Sequence, residues 1–190
     1  MTLFWPDSDQ PHARGALSQS LRYLRRSLGE GAIVTLGEDE VGLDRELVGC
    51  DAVVFADRCE AAQFEEALAI YQGPFLDGFF VSDAGPEFER WVAGERMRLG
   101  HQAGEAAKTL SERAEGRTDP AAAVRWARRA ALLGRGDEAA AARLIRLLDQ
   151  VGDRAGALRE YDALRQRLKE EFQVPPSPET QRLITLILGR

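Results

Sequence analysis

Two stretches decide the fold: LSERAEGRTDPAAAVRWARRA at residues 110–130 and LIRLLDQVGDRAGALREYDAL at residues 144–164. Leu110, Ala114, Asp119, Ala123, Ala127 and Ala130 each lie 34 positions before Leu144, Leu148, Asp153, Ala157, Tyr161 and Leu164. In each stretch, apolar positions at helical spacing flank an aspartate. That pattern predicts two helices joined by a tight turn, repeated once. Ala123 and Ala157 are small enough to let the paired helices approach closely. Asp119 and Asp153 stand where the turns belong, and Gly152 supports the second one.

A period of 34 residues is that of tetratricopeptide helix pairs. Such pairs stack into a scaffold, and in many proteins their concave face holds a peptide or a partner domain. The repeat leaves both roles open. Working outward, Val174-Pro175-Pro176-Ser177-Pro178 stops the last repeat helix. A short final helix then carries Leu183, Ile184, Ile187 and Leu188. Upstream, a long helix is expected from Pro86 to Glu115, with Phe88, Trp91, Val92, Met97 and Leu99 along it; Gly94, Gly100 and Gly104 count against it by about 1 kcal/mol each relative to Ala. Gln72-Gly73-Pro74-Phe75-Leu76-Asp77-Gly78 reads as a loop, and Asp51–Tyr71 as one or two helices.

The first 50 residues read differently. Leu17, Leu21, Leu24 and Leu28 line one face of a helix expected over Ala13–Leu28 and closed by Gly29 and Gly31. Ser18, Gln19, Arg22 and Arg26 point away from that face, with Arg14 and Arg25 on its flanks. From Gln10 to Gly29 there are four arginines and no acid, in a chain of net charge −6. Next, Ala32–Leu36 and Val41–Leu43 enclose a polar turn containing Gly37, Glu38, Asp39 and Glu40, a β-hairpin pattern. A helix presenting Arg, Ser and Gln can enter the major groove, where Arg pairs with guanine and Gln with adenine. Flanking arginines then meet phosphates, and the hairpin acts as a wing. Read by itself, the helix is more simply a solvated surface.

Other chemistry finds little footing. Cys50 and Cys59 are too few for a disulfide framework and read as reduced and buried. His12 and His101 are far apart, without a metal ligand at helical spacing, and read as surface or packing residues. Gly134-Arg135-Gly136-Asp137 lacks the ending of a phosphate-binding loop, and no Gly-x-Ser-x-Gly elbow occurs. Asp7 and Asp9 suit helix capping better than cation binding. Trp91, Trp126 and Tyr161 read as core. No cofactor, metal or active-site constellation is expected. No apolar run approaches the roughly 20 residues that span a bilayer. The start of the chain lacks the pattern of a signal peptide, so a cytoplasmic protein is expected.

Six segments in chain order resemble the streptomycete antibiotic regulatory proteins and relatives that share a bacterial transcriptional activator domain. Leu3-Phe4-Trp5-Pro6-Asp7 resembles the junction before the recognition helix of their winged-helix DNA-binding domain. Ala16-Leu17 through Leu24-Arg25-Arg26-Ser27-Leu28-Gly29 resembles that helix. Val41-Gly42-Leu43 and Cys50-Asp51 resemble the end of the wing and the start of the activator domain. Ala67-Leu68-Ala69-Ile70-Tyr71-Gln72-Gly73-Pro74-Phe75-Leu76 is similar to the family's Tyr-x-Gly-Pro-Phe-Leu loop. Trp91 with Glu95-Arg96 matches its long helix, and Phe172-Gln173-Val174-Pro175-Pro176-Ser177-Pro178-Glu179-Thr180 its closing motif.

The resemblance implies a mostly α protein: a partial winged helix over residues 1–50 and a tetratricopeptide-like activator domain over 51–190. The family's N-terminal sheet and first helices have no counterpart here, because Met1 falls within the second helix. The implied function is transcriptional activation. Promoter DNA would meet Arg14, Ser18, Gln19, Arg22, Arg25 and Arg26, and the helical domain would meet RNA polymerase or a regulatory domain. Apolar surface around Leu3, Phe4, Trp5 and Leu17 would favour a homodimer. The alternative is a protein-interaction module that does not touch DNA.

Overall fold

An aspartate and a proline set where the chain first turns helical. The Asp9 carboxylate accepts the His12 backbone N–H at 2.9 Å, and Pro11 sits in the first turn, where its missing N–H costs nothing. In the computed structural model, which describes residues 4–5, 8–37, 40–81, 85–134 and 137–189, helix α1 therefore spans Gln10–Leu28. It begins before Ala13, where the leucine spacing alone placed its start. Gly29 ends it at φ +104°, a conformation that a side chain would resist. Strands β1 (Ile33–Leu36) and β2 (Glu40–Leu43) pair antiparallel, Ile33 opposite Leu43 and Leu36 opposite Glu40. Leu3, Pro6 and Asp7 of the expected junction, Glu38 and Asp39 of the hairpin turn, and Arg135 and Gly136 lie outside the described residues.

From Asp51 onward the described chain is helical between its loops. Asp51–Tyr71 holds two helices, α2 (Asp51–Glu60) and α3 (Phe64–Ile70), broken at Ala62 with φ +56°. Helix α4 (Pro86–Gly116) runs through Gly94, Gly100 and Gly104. Burial explains why those glycines do not break it: Leu99, Ala103, Ala107 and Leu110 are all in the core, and packing of an apolar face outweighs local propensity. Then follow α5 (Pro120–Leu133), α6 (Glu138–Gln150), α7 (Arg154–Arg167) and α8 (Pro178–Leu188).

The 34-residue equivalence extends to backbone geometry. Asp119 caps α5 by accepting the Ala122 N–H at 3.0 Å, and Asp153 caps α7 by accepting the Gly156 N–H at 2.8 Å. The residue before each cap is left-handed, Thr118 at φ +58° and Gly152 at φ +84°. Ala123 and Ala157 are fully buried, as close helix packing requires. A Cβ at Gly156 would overlap the Asp153 carboxylate, so the second turn uses glycine twice.

Two apolar clusters result. Phe55, Leu68, Leu99 and Leu110 form the first, around α2, α3 and α4. Leu144, Ile145, Leu148, Ala157 and Ile187 form the second, around α6, α7 and α8, joined by Ala114 of α4 and by Ala123 and Ala127 of α5. Helix α7 widens into a π-helical turn over Leu168–Phe172 and stops at Gln173, whose φ is +57°. The closing motif then docks on α6, where Glu138 accepts the Ser177 N–H at 2.7 Å.

Two expectations need correction. Trp91 is 43% exposed rather than core, although the rings of Phe75 and Phe88 both lie against it with centroids 5.7 Å away. Trp126 and Tyr161 are half-buried and pack against the apolar clusters, as expected of core residues. Cys59 is buried, but Cys50 is half-buried at the start of α2; both thiols are free.

Candidate nucleic-acid interface

Helix α1 is held from below by very little. Ala13 is its one buried residue, and Ala32 and Ile33 are buried at the base of the hairpin. Leu17 and Leu21 are half-buried, whereas Leu24 and Leu28 are 40% and 49% exposed, so half of the leucine face is uncovered. Leu36, Val41 and Leu43 of the hairpin are also exposed. The Phe4 ring lies 5.9 Å from Trp5 and 5.7 Å from Phe88 of α4, which brings the segment before α1 against the helical part. Arg45 and Asp57 form an exposed ion pair at 3.5 Å between the residues after the hairpin and α2.

The other face of α1 carries the predicted contacts. Arg14, Ser18, Gln19, Arg22 and Arg26 are exposed, and Arg25 is half-buried. None of these six side chains has a hydrogen-bond or ion-pair partner among the described residues. Their neighbour Ser20 instead returns its hydroxyl proton to the Ala16 carbonyl at 2.9 Å. Arg25 and Arg26 lie in the last turn, where the carbonyl ends of the helix favour cations. The structure thus brings all six to one helix and leaves the charge of its four arginines without an ion-pair partner among the described residues. At the opposite end, Asp9 is held below the usual carboxylate range by hydrogen bonds from the His12 backbone and ring.

The segments of the helical part that carry the family resemblance meet each other. The Arg96 guanidinium donates to the carbonyls of Phe75 and Leu76, at 2.7 and 2.8 Å. It thereby pins the Gly-Pro-Phe-Leu loop to α4 and supports Leu76, which sits at φ +51°. Arg129 of α5 donates to Leu68 and Tyr71 carbonyls at 3.0 and 2.9 Å, closing the end of α3. Neither arginine was singled out for this role by spacing. Their acceptors are backbone carbonyls 20 to 61 positions away, and carbonyls leave no mark in a sequence.

Among the described residues no three His, Cys, Asp or Glu side chains converge to hold a metal ion. No helix among them is long and apolar enough to cross a membrane.

Comparison with known proteins agrees with this architecture. The solved structure of Mycobacterium tuberculosis EmbR in complex with a low affinity phosphopeptide is similar in fold, with a TM-score of 0.60 at 17% identity. The match covers 99% of this chain but 53% of that one, so this chain spans about half the length of EmbR. No curated protein matches the chain. The family model described as the bacterial transcriptional activator domain matches residues 52–188, from the first turn of α2 to the last of α8. The chain therefore belongs to the bacterial transcriptional activator domain family.

Proposed function

We propose that this chain is the regulatory portion of a transcriptional activator, with residues 1–50 as its DNA-contacting part and 51–190 as its interaction domain. One observation carries the reading: the acid-free face of α1, with four arginines that have no partner within the described protein. Unpaired cations on a rigid helix release counterions when they meet phosphates, and that release drives binding. Arg14 and Arg25 take the phosphate contacts. Ser18, Gln19, Arg22 and Arg26 face the base edges. The helical domain meets a protein partner, such as RNA polymerase or a regulatory domain. The bare Leu24 and Leu28 face offers a surface for self-association.

The test is a fluorescence-anisotropy titration of the chain against duplex DNA across a range of salt. Binding should weaken with salt by a log–log slope of about −0.9 per phosphate contact. Arg14→Ala/Arg25→Ala should flatten that slope by about 1.8, uniformly across sequences. Arg22→Ala/Arg26→Ala should weaken binding by more on the preferred sequence than on others. Absence of salt-dependent binding would overturn the DNA reading.

A second reading, an interaction module without a DNA role, draws on a different observation. Beyond Ala13, Ala32 and Ile33, every buried apolar residue described lies in the helical part. That part is built to stand alone, whatever α1 does.

A further inference from the structure

Helices α4 and α5 and the turn at Tyr71–Pro74 enclose a groove of about 960 Å3. Its floor is open because two of its α4 residues are glycines one helical turn apart. A Cβ at Gly100 would meet only the Tyr71 hydroxyl, at 3.5 Å, and one at Gly104 would meet nothing closer than 3.9 Å. Met97 and Leu132, among the lining residues, are 75% and 69% exposed, an unusual cost for side chains of that size.

The charge of the groove opposes that of the chain. Arg96, Lys108, Arg125, Arg128 and Arg129 line it, against two carboxylates, Glu105 and Asp137. The chain as a whole is −6. Arg125 has no carboxylate partner among the described residues; its guanidinium lies 5.2 Å from the Trp126 ring. Lys108 and Arg128 are held only by exposed or half-exposed ion pairs, to Glu105 at 3.3 Å and Glu160 at 3.0 Å. Exchanging such partners costs little, because surface pairs contribute at most about 1 kcal/mol.

We propose that this groove docks an acidic amphipathic segment of a partner protein. Its apolar side chains would lie over Gly100 and Gly104 between Met97 and Leu132, and its carboxylates would meet Lys108, Arg125 and Arg128. Both halves of the chemistry are needed to choose this occupant. A positive wall selects an anion, and an apolar floor selects side chains that leave water. Nucleic acid fits less well, since among the described lining residues the only rings are the half-buried Tyr71 and the single imidazole of His101, too few for a run of stacked bases. The inference rests on the helical domain being the interaction part. It does not depend on α1 contacting DNA.

The probe is a fluorescein-labelled helical peptide with leucines at i, i+4, i+7 and i+11 and Glu or Asp between them, titrated with the full chain. One control peptide replaces the acids by Lys, and another replaces the leucines by Ser. Two variants are compared: Arg125→Glu/Arg128→Glu, which reverses the wall, and Gly104→Leu, which fills the floor. A Cβ at Gly104 is accommodated at ordinary contact distance and raises helix propensity, and a circular-dichroism melt of both variants verifies that the chain stays folded. The expected result is saturable binding of the acidic peptide alone, weakened about tenfold or more by either variant. It should be unchanged by Arg22→Ala/Arg26→Ala, which separates it from the DNA reading. Equal binding of the Lys peptide, or no binding up to about 1 mM, would overturn the proposal. So would duplex binding that the wall variant abolishes and the α1 variant spares, since the groove would then hold nucleic acid. Light scattering that shows Gly104→Leu converting a dimer to a monomer would overturn it in favour of a second copy.

Discussion

Leu110 and Ile145 test whether the two apolar clusters are separate units of stability. Leu110 belongs to the cluster around α2–α4 and is 3% exposed; Ile145 belongs to the cluster around α6–α8 and is fully buried. Leu110→Ala removes three carbons from a filled site and should cost about 2–5 kcal/mol. Ile145→Val removes one methylene and should cost about 0.5–1.5 kcal/mol. The two side chains share no cluster, so their effects should add to within about 0.5 kcal/mol in the double variant. That sum, about 2.5–6.5 kcal/mol, overlaps the lower end of the roughly 5–15 kcal/mol that a domain has to lose, so the single variants should remain folded and the double variant should unfold at the lowest urea concentrations. Urea unfolding followed by circular dichroism gives each midpoint. The slope should stay constant, since none of the changes alters the surface exposed on unfolding by much. A coupling above about 1 kcal/mol would refute the separation: strain would then pass directly from one cluster to the other. A cost below about 1 kcal/mol for Leu110→Ala would refute the packing itself.

Three further outcomes are expected. Arg96→Ala should cost about 1–2 kcal/mol and loosen the 72–78 loop to proteolysis, and Arg96→Lys should rescue it only partly, because a single ammonium lacks the two-pronged geometry that reaches both carbonyls; full rescue by Lys would mean that the fork does not matter. Thr118→Gly should raise the melting temperature by about 2 °C, since the left-handed conformation costs threonine about 1–2 kcal/mol and glycine only its extra unfolded entropy; an unchanged or lower value would show that the turn is not strained. Glu138 is raised by burial but lowered further by hydrogen bonds from Ser177 and Thr180, so its carboxyl sits below its ordinary value. A group depressed in the folded state stabilises fully above the ordinary glutamate range and loses that contribution as pH falls through the folded value. Glu138→Gln should therefore make the acid limb of a urea-midpoint-against-pH curve shallower and lower the plateau at neutral pH. An identical acid limb would remove Glu138 from the account.

Much of the molecule was legible from local chemistry. Asp119, Asp153 and Ser177 cap helices because short polar side chains satisfy the first free N–H groups, whatever lies around them. The candidate DNA face was legible for a similar reason. All six of its residues lie within thirteen positions of one helix, Arg14–Arg26, where spacing alone fixes direction. The groove was not legible, because its cations come from two helices and its floor is made of residues without side chains. In the linear sequence Gly100 and Gly104 count only as weak points of a helix.

The sequence by itself determined the turns of the 34-residue repeat, the hairpin and the acid-free arginine face, because each depends on neighbours a few bonds or one turn away. Tertiary structure alone decided that Trp91 stays half in water, that Leu24 and Leu28 are uncovered while Leu110 and Leu144 are enclosed, and that Arg96 and Arg129 serve distant carbonyls. Periodicity gives a helix an apolar face, but only the placement of other elements determines whether anything covers it.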